Sequence, residues 1–228
     1  MLCGAVAFAD AARISGDIAP ERLDAMLARV DAITRAVAAT DGMPWEGARQ
    51  DGYADSLESA IYLAAYRPET AAHLLPWVDD QIEIFYHWQR ADGFVDKGYL
   101  DGNFIRTCLL YADLRSGGWR VEPWSPDVRV GWAAGAGGEM VVVVRADADY
   151  TGVLRPESRR HSTIMNLPVN WARINSWPQW APYEDIAQVT EAEGLPWLPT
   201  PADLAAGLPV TISAGERIVL RFRTAPAH

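Results

Sequence analysis

Residues 51–58 read Asp51-Gly52-Tyr53-Ala54-Asp55-Ser56-Leu57-Glu58, and residues 101–107 read Asp101-Gly102-Asn103-Phe104-Ile105-Arg106-Thr107. Each stretch places an Asp-Gly pair before a run that is apolar on nearly every side. The first run is expected as a helix from Tyr53, through Leu57, Ile61, Leu63, Ala64 and Ala65, to Tyr66, with Pro68 forbidding continuation. The second is expected from Phe104 to Leu114. The neighbouring segments are one-sided instead. Leu23, Met26, Leu27, Val30, Ile33 and Val37 recur every three or four residues over 20–39. Leu75, Val78, Ile82, Phe85 and Trp88 do the same over 74–90, with Asp79, Asp80 and Glu83 on another face. Pro20 suits a first helical turn with Asp17 upstream as a cap, and Leu2 to Ile14 adds one more helix. The two Asp-Gly pairs are 50 residues apart, the size of one helical hairpin repeat. Amphipathic helices outside and shielded helices inside describe stacked or concentric hairpins.

After Gly117-Gly118 the apolar spacing changes to that of strands, and paired glycines mark the joint. Asp127 to Trp132 and Glu139 to Arg145 flank a glycine-rich turn at 133–138. Tyr150 to Arg155, Ser162 to Leu167, Val210 to Ser213 and Arg217 to Arg223 supply further strands. Segments 168–180 and 195–201 are rich in proline and tryptophan and read as long loops. The expected fold is α+β: an incomplete α/α-hairpin layer over 1–117 followed by an antiparallel β-sandwich over 119–228.

Composition narrows the function. Half of the 228 residues are hydrophobic, which excludes a disordered chain. A net charge of −10 makes nucleic acid and anionic membranes poor partners. No window reaches the roughly 18–20 apolar residues of a membrane span. Cys3 and Cys108 make neither a disulfide framework nor a metal cage, and no pair of histidines has metal-ligand spacing, so no metal or cofactor is expected. Gly135 to Gly138 joins two strands, which is the wrong context for a phosphate loop, and no Gly-x-Ser-x-Gly elbow occurs.

The two Asp-Gly stretches, together with Trp77-Val78-Asp79 through Gln89 and Asp92-Gly93-Phe94, resemble the closing hairpins of an (α/α) toroid of the six-hairpin glycosidase and polysaccharide-lyase type. Val121-Glu122-Pro123-Trp124, Arg160-His161 and Leu167-Pro168-Val169-Asn170-Trp171 through Pro178-Gln179-Trp180 resemble the β-sandwich that such proteins often carry after the toroid. The resemblance covers about residues 45–190 and implies a carbohydrate-active setting without fixing the reaction. A full toroid needs more hairpins upstream of Met1, so the chain is expected to be the C-terminal piece of a longer ancestor or to have had its start placed late.

A glycosidase needs two carboxyl groups across the scissile bond, about 5–5.5 Å apart for retention or 6.5–9.5 Å for inversion. Asp51, Asp55, Glu58 and Asp101 are the candidates for such a pair. A structural reading competes with the catalytic one. Asp55 and Glu58, three residues apart, match an acidic capping box, and Asp51 and Asp101 suit Asp-Gly turns that cap the helices after them. Asn103 and Arg106 suit either substrate orientation or, respectively, a helix cap and an ion pair with Asp101 or Asp55. In a lyase they would neutralise a uronic carboxylate, with Tyr53, Tyr99 or His87 as base. His87 also fits a helix-edge position. Tyr53, Trp45 and Trp177 supply planes on which sugar rings stack, and the run Asn170 to Trp180 suits either that role or packing between domains. Arg159, Arg160 and His161 read as an exposed corner.

The expected function is carboxylate acid/base catalysis on an oligo- or polysaccharide, as a glycoside hydrolase or part of one. The alternatives are a catalytically silent sugar-binding or assembly module and a polysaccharide lyase. The expected partner is a saccharide, with a second copy or the missing hairpins docking on an open helical edge. The expected compartment is the cytoplasm by default, or outside it if an N-terminal segment has been lost.

Overall fold

The computed structural model describes residues 2–38, 50–91, 102–166 and 178–225, and within several helices some side chains lie outside that description. The fold is α+β. The chain divides into two compact units, 1–111 with 169–178 and 112–168 with 179–228, and the first boundary falls between Tyr111 and Ala112, inside a helix.

In the first unit, α1 (Leu2–Ser15) and α2 (Pro20–Ala38) form one hairpin and α3 (Gln50–Tyr66) and α4 (Ala71–His87) another. α1 packs on α3 and α2 on α4, so the hairpins lie side by side in two layers. Pro20 takes the first turn of α2, where its missing N–H costs nothing, and the carbonyl of Ala19 accepts from Arg22 and Leu23. Asp17, expected as the cap, lies three residues before the helix. The buried stripe of α2 is Leu23, Leu27, Val30 and Thr34, whereas Ile33, expected inside, is 48% exposed. α4 buries Leu74, Trp77, Val78, Gln81, Ile82 and Phe85 and starts earlier than its apolar period suggests, because a 3-10 turn over Pro68–Thr70 feeds it.

α3 meets the expectation of a helix shielded nearly all round: Ala54, Ser56, Leu57, Glu58, Ser59, Ala60, Ile61, Leu63 and Ala64 are all buried. α5 (Gly102–Ser116) does not. It buries Phe104, Thr107, Leu110 and Leu114 on one stripe and exposes Ile105 and Leu109 by 54% and 56%. Apolar residues one turn apart on an open face account for the difference.

The second unit holds two antiparallel sheets and two short helices among its described residues. One sheet has the order β1 (Arg120–Glu122), β4 (Tyr150–Arg155), β6 (Leu208–Ile212). The other has the order β2 (Val128–Ala134), β3 (Glu139–Ala146), β7 (Arg217–Thr224), β5 (Ile186–Glu193). Alternate residues from both, among them Met140, Val142 and Val144 from β3 and Leu208, Val210 and Ile212 from β6, share one core with Trp119. The period of two along each strand produces that sharing.

One expectation fails here. Residues 160–163 form a helical turn, α6 (Arg160–Thr163), rather than the start of a strand. The Ser162 and Thr163 hydroxyls and backbone N–H groups all donate to the Arg159 carbonyl, which closes the turn locally. Segment 195–200 is a loop as expected, and Pro201 at its end opens α7 (Pro201–Ala206), capped by Thr200 in a capping box with Asp203. No described helix is long and apolar enough to cross a membrane.

Trp119 is 1% exposed, donates its indole N–H to the Ala181 carbonyl at 3.2 Å and lies tilted on Phe222 at 5.4 Å. Trp119→Ala is expected to destabilise the chain by about 3–5 kcal/mol in urea titration, and Trp119→Phe by less because most of the volume stays.

Candidate functional site

The helical unit gathers most of the expected residues where two helices begin. α3 opens at Gln50, so Asp51 and Gly52 already lie in its first turn and Asp55 and Glu58 lie deeper. Neither Asp55 nor Glu58 stands at the helix boundary, which removes the capping-box reading. Glu58 is 7% exposed. Its Oε1 accepts from Arg106 Nε at 2.6 Å and from the Thr107 hydroxyl at 3.0 Å. Thr107 also lies 2.9 Å from the Asn103 carbonyl and 3.4 Å from the Ala54 carbonyl, and its single hydroxyl proton serves one acceptor at a time.

Arg106 is the bridge to solvent. Its Nη2 lies 3.7 Å from Asp55 Oδ1, and the Arg106 and Asp55 side chains are each about half exposed. The hydrogen bond to Glu58 raises the already high pKa of the guanidinium. The cluster therefore has a buried end, Glu58 with Thr107, and an open end, Asp55 with Arg106. A guanidinium narrower than either contact separates the two carboxyl groups, so the linked oxygens stand within the roughly 9.5 Å upper limit of glycosidase pairs.

An aromatic cluster lies beside these helix starts. Trp88, at the C-terminus of α4, meets Tyr53 of α3 edge-on at 5.7 Å and Phe104 of α5 edge-on at 5.8 Å. It also stacks on Phe85 at 5.6 Å, while Phe85 meets Phe104 at 4.8 Å. The beginnings of α3 and α5 and the end of α4 thus share one end of the unit. Along its length α4 runs opposite to α5, since Tyr111 donates to Asp79 at 2.9 Å.

Of the expected site residues, Asp55, Glu58 and Arg106 come together, whereas Tyr53 turns to Trp88 on another face of α3. Asn103 sits inside the first turn of α5, which begins at Gly102, and so is not its cap. His87 is exposed, and its Nδ1–H donates to the Glu83 carbonyl of its own helix at 2.7 Å. Trp45, Asp101, Trp177 and the Asp51 carboxyl group lie outside the described residues. Among those residues no group of three or more His, Cys, Asp and Glu could hold a metal ion.

Sequence reasoning missed Thr107, whose hydroxyl is invisible in an apolar period, whereas Trp88, expected on the apolar face over 74–90, packs with Tyr53, Phe85 and Phe104. It also missed His73. This ring meets the buried Thr34 hydroxyl at 3.0 Å and ties α4 to α2, and burial lowers its pKa.

The largest miss is Glu157 of the second unit. It is 4% exposed, with Oε1 2.7 Å from Arg160 Nη2 and Oε2 accepting the Trp180 N–H at 3.1 Å. Burial first, and then the charge of Asp113, push its carboxyl group up to about 7, against the pull of Arg160 and the N–H groups of Trp180 and Ala181. Gly118 covers it: the backbone there has φ +77°, and a Cβ would sit 2.5 Å from Glu157 Oε2. At the corner expected to be exposed, Arg159 and Arg160 are partly open but hold ion pairs: Arg160 with the enclosed Glu157, and Arg159 with Asp185, while the Arg159 N–H meets the Glu184 carboxylate at 3.1 Å. The one sequence signal was a single acid inside Arg155-Pro156-Glu157-Ser158-Arg159-Arg160.

No protein-family model, curated protein or solved structure matches the chain.

Thr107→Val keeps shape and removes one donor from buried Glu58. A loss of about 1–3 kcal/mol is expected in chemical denaturation, and an unchanged midpoint would show that the hydroxyl contributes nothing. For Glu157 the sign follows from proton binding. An acid near 7 when folded, against 4.5 for a free glutamate, binds more protons folded than unfolded between those values. Stability should fall as pH rises from about 5 to about 7, by up to on the order of 1.4 kcal/mol per pH unit, and then level off. Glu157→Gln should flatten that slope in unfolding curves measured across the range.

Proposed function

We propose that this chain is a carbohydrate-active protein, a glycoside hydrolase or part of one, whose paired helical hairpins belong to an (α/α) toroid-like layer and whose two sheets form an appended β-sandwich. The observation that carries the reading is the convergence of Asp55, Glu58 and Arg106 near the openings of α3 and α5. Two supports come from the packing. The α1/α2 and α3/α4 hairpins lie in two layers, with α1 beside α3 and α2 beside α4. The early turns of α3 and α5 meet through Thr107, Ala54 and Glu58.

In this reading Asp55, half open to solvent, transfers the proton. Glu58 fixes Arg106, and the linked oxygens of the two acids lie no farther apart than the upper limit for an inverting carboxyl pair. Asp51 and Asp101 are the further carboxyl candidates. Arg106 orients substrate hydroxyls, and Tyr53 offers a sugar face an aromatic edge. Net charge −10 accords with an uncharged ligand rather than nucleic acid. A lyase remains the second enzymatic reading, favoured by the half-exposed Arg106, which could neutralise a uronic carboxylate.

The decisive assay compares the parent chain with Asp55→Asn and Asp101→Asn on a panel of aryl glycosides, neutral polysaccharides and polyuronates. The reading expects hydrolysis by the parent and at least a hundredfold loss in Asp55→Asn. Full activity in both variants, or none in the parent, overturns it, and unsaturated products from polyuronates transfer the assignment to a lyase. One observation favours the silent assembly module instead: Ile105 and Leu109 form an open apolar strip on α5. Sedimentation as a clean monomer without hydrophobic-dye binding would contradict that alternative.

A further inference from the structure

Residues 179–185 of the second unit form a strap fastened to the turn that carries Glu157. The Tyr183 N–H donates to the Glu157 carbonyl at 2.9 Å, and the Trp180 N–H donates to Glu157 Oε2 at 3.1 Å. The Gln179 side-chain amide donates to the Ser158 carbonyl at 2.7 Å, and the Arg159 N–H meets the Glu184 carboxylate at 3.1 Å. Glu157 is the one buried carboxyl group of this attachment, since Glu184 and Asp185 keep part of their surface in water. The strap also walls a cavity. Trp180, Ala181, Pro182 and Asp185 line a space of about 190 Å³ together with Trp132 and Met140 of the four-stranded sheet.

The charged groups around Glu157 come from three elements. Arg160, on its own turn, stands 2.7 Å from Oε1, and Asp113, in the last turn of α5, adds a second negative charge. Glu184 and Asp185, from the strap, are both engaged by Arg159. The Gly118 backbone packs against the carboxyl group, so a charge formed there is met by protein rather than by water. Burial and Asp113 outweigh Arg160 and the two backbone donors and hold the covered carboxyl group at about 7. Once wet, the same group ionises at its ordinary 4.5. An acid that is protonated when covered and ionised when wet favours the wet state as pH rises between those two values, and the preference levels off above them.

We propose that Glu157 is the catch of a pH-operated latch: its protonated carboxyl group holds the 179–185 strap on the 157–160 turn, and its ionisation shifts the strap towards an open position that uncovers Trp180 and the cavity it walls. The movement is local and leaves the ladder between β3 and β7 closed. It requires neither sugar binding nor turnover, so it stands apart from the reading of Asp55, Glu58 and Arg106.

Hydrogen exchange of the full chain tests the latch, followed by mass spectrometry on peptides spanning 179–185 and corrected for the intrinsic pH dependence of amide exchange. Protection of the strap is expected to fall on the order of fifty- to a hundredfold between pH 5 and pH 8. Low concentrations of urea should leave that exchange unaltered, because a local opening exposes little surface. Glu157→Gln keeps the shape without the ionisation and should abolish the fall. Asp113→Asn leaves Glu157 in place, removes the repulsion and should shrink the fall, which keeps the test valid if the glutamine variant does not fold. Four results would each overturn the inference: constant protection across the pH range, a fall that survives in Glu157→Gln, an undiminished fall in Asp113→Asn, or strap exchange that rises with urea in step with β3 and β7.

Discussion

A glutamate taken out of water needs donors, and the donors of Glu58 come from another helix. Arg106 and Thr107 reach it from the opening turns of α5, and that requirement sets α5 against α3. The rest of this end of the helical unit follows from it. With the two beginnings together, Phe104 comes to Phe85 and Trp88, and Tyr53 closes on the same indole. Asp55, one turn before Glu58, then shares Arg106 at the solvent margin. A catalytic reading of the acidic residues and a structural one use the same ion pair. Glu58, the covered partner of Arg106, holds geometry, and Asp55, its open partner, stands half exposed at the solvent margin.

The second unit reverses the balance at Glu157. There the carboxyl group is enclosed without enough positive charge: one arginine and two backbone donors oppose burial and the field of Asp113. The enclosure is made by a backbone that a side chain would obstruct, since Gly118 packs against Glu157 and a Cβ at Gly117 would sit 2.7 Å from the Trp132 ring. Between them, the 157–160 turn and the 180–185 segment tie together residues far apart in sequence. Pro182 bridges Glu157, Gln179 donates to the Ser158 carbonyl at 2.7 Å, and Trp119 reaches Ala181.

Much of this fold was legible from hydrophobic period. The helices over 2–15, 20–38 and 71–87 and the strands over 139–146, 150–155 and 217–224 emerge close to where spacing alone puts them. What escaped has local causes. β5 was overlooked because two register irregularities, between Ile186 and Gln188 and between Val189 and Glu191, break its alternation. α3 begins before its Asp-Gly pair, because Gly52 fits inside a helix whose Ser56 hydroxyl donates to the Gly52 carbonyl at 2.5 Å. α7 was hidden behind a proline that in fact occupies its first turn. At the site, spacing brought out Asp55, Glu58 and Arg106 as chemically interesting. It could not say which of the acids would be covered, because coverage comes from α5 and not from the local sequence. Glu157 was illegible for the same reason: its neighbours in sequence are basic and polar, and its burial comes from Trp180, Ala181 and Gly118.

The coupling between Glu58 and Arg106 measures most directly whether α3 and α5 begin together. In a double-mutant cycle of Glu58→Gln and Arg106→Ala, followed by denaturant unfolding of the full chain, neighbours in one network should show an interaction energy of about 1 kcal/mol or more. Effects that simply add, within about 0.3–0.5 kcal/mol, would mean the two side chains do not meet, and the arrangement of helix starts built on their contact would be wrong.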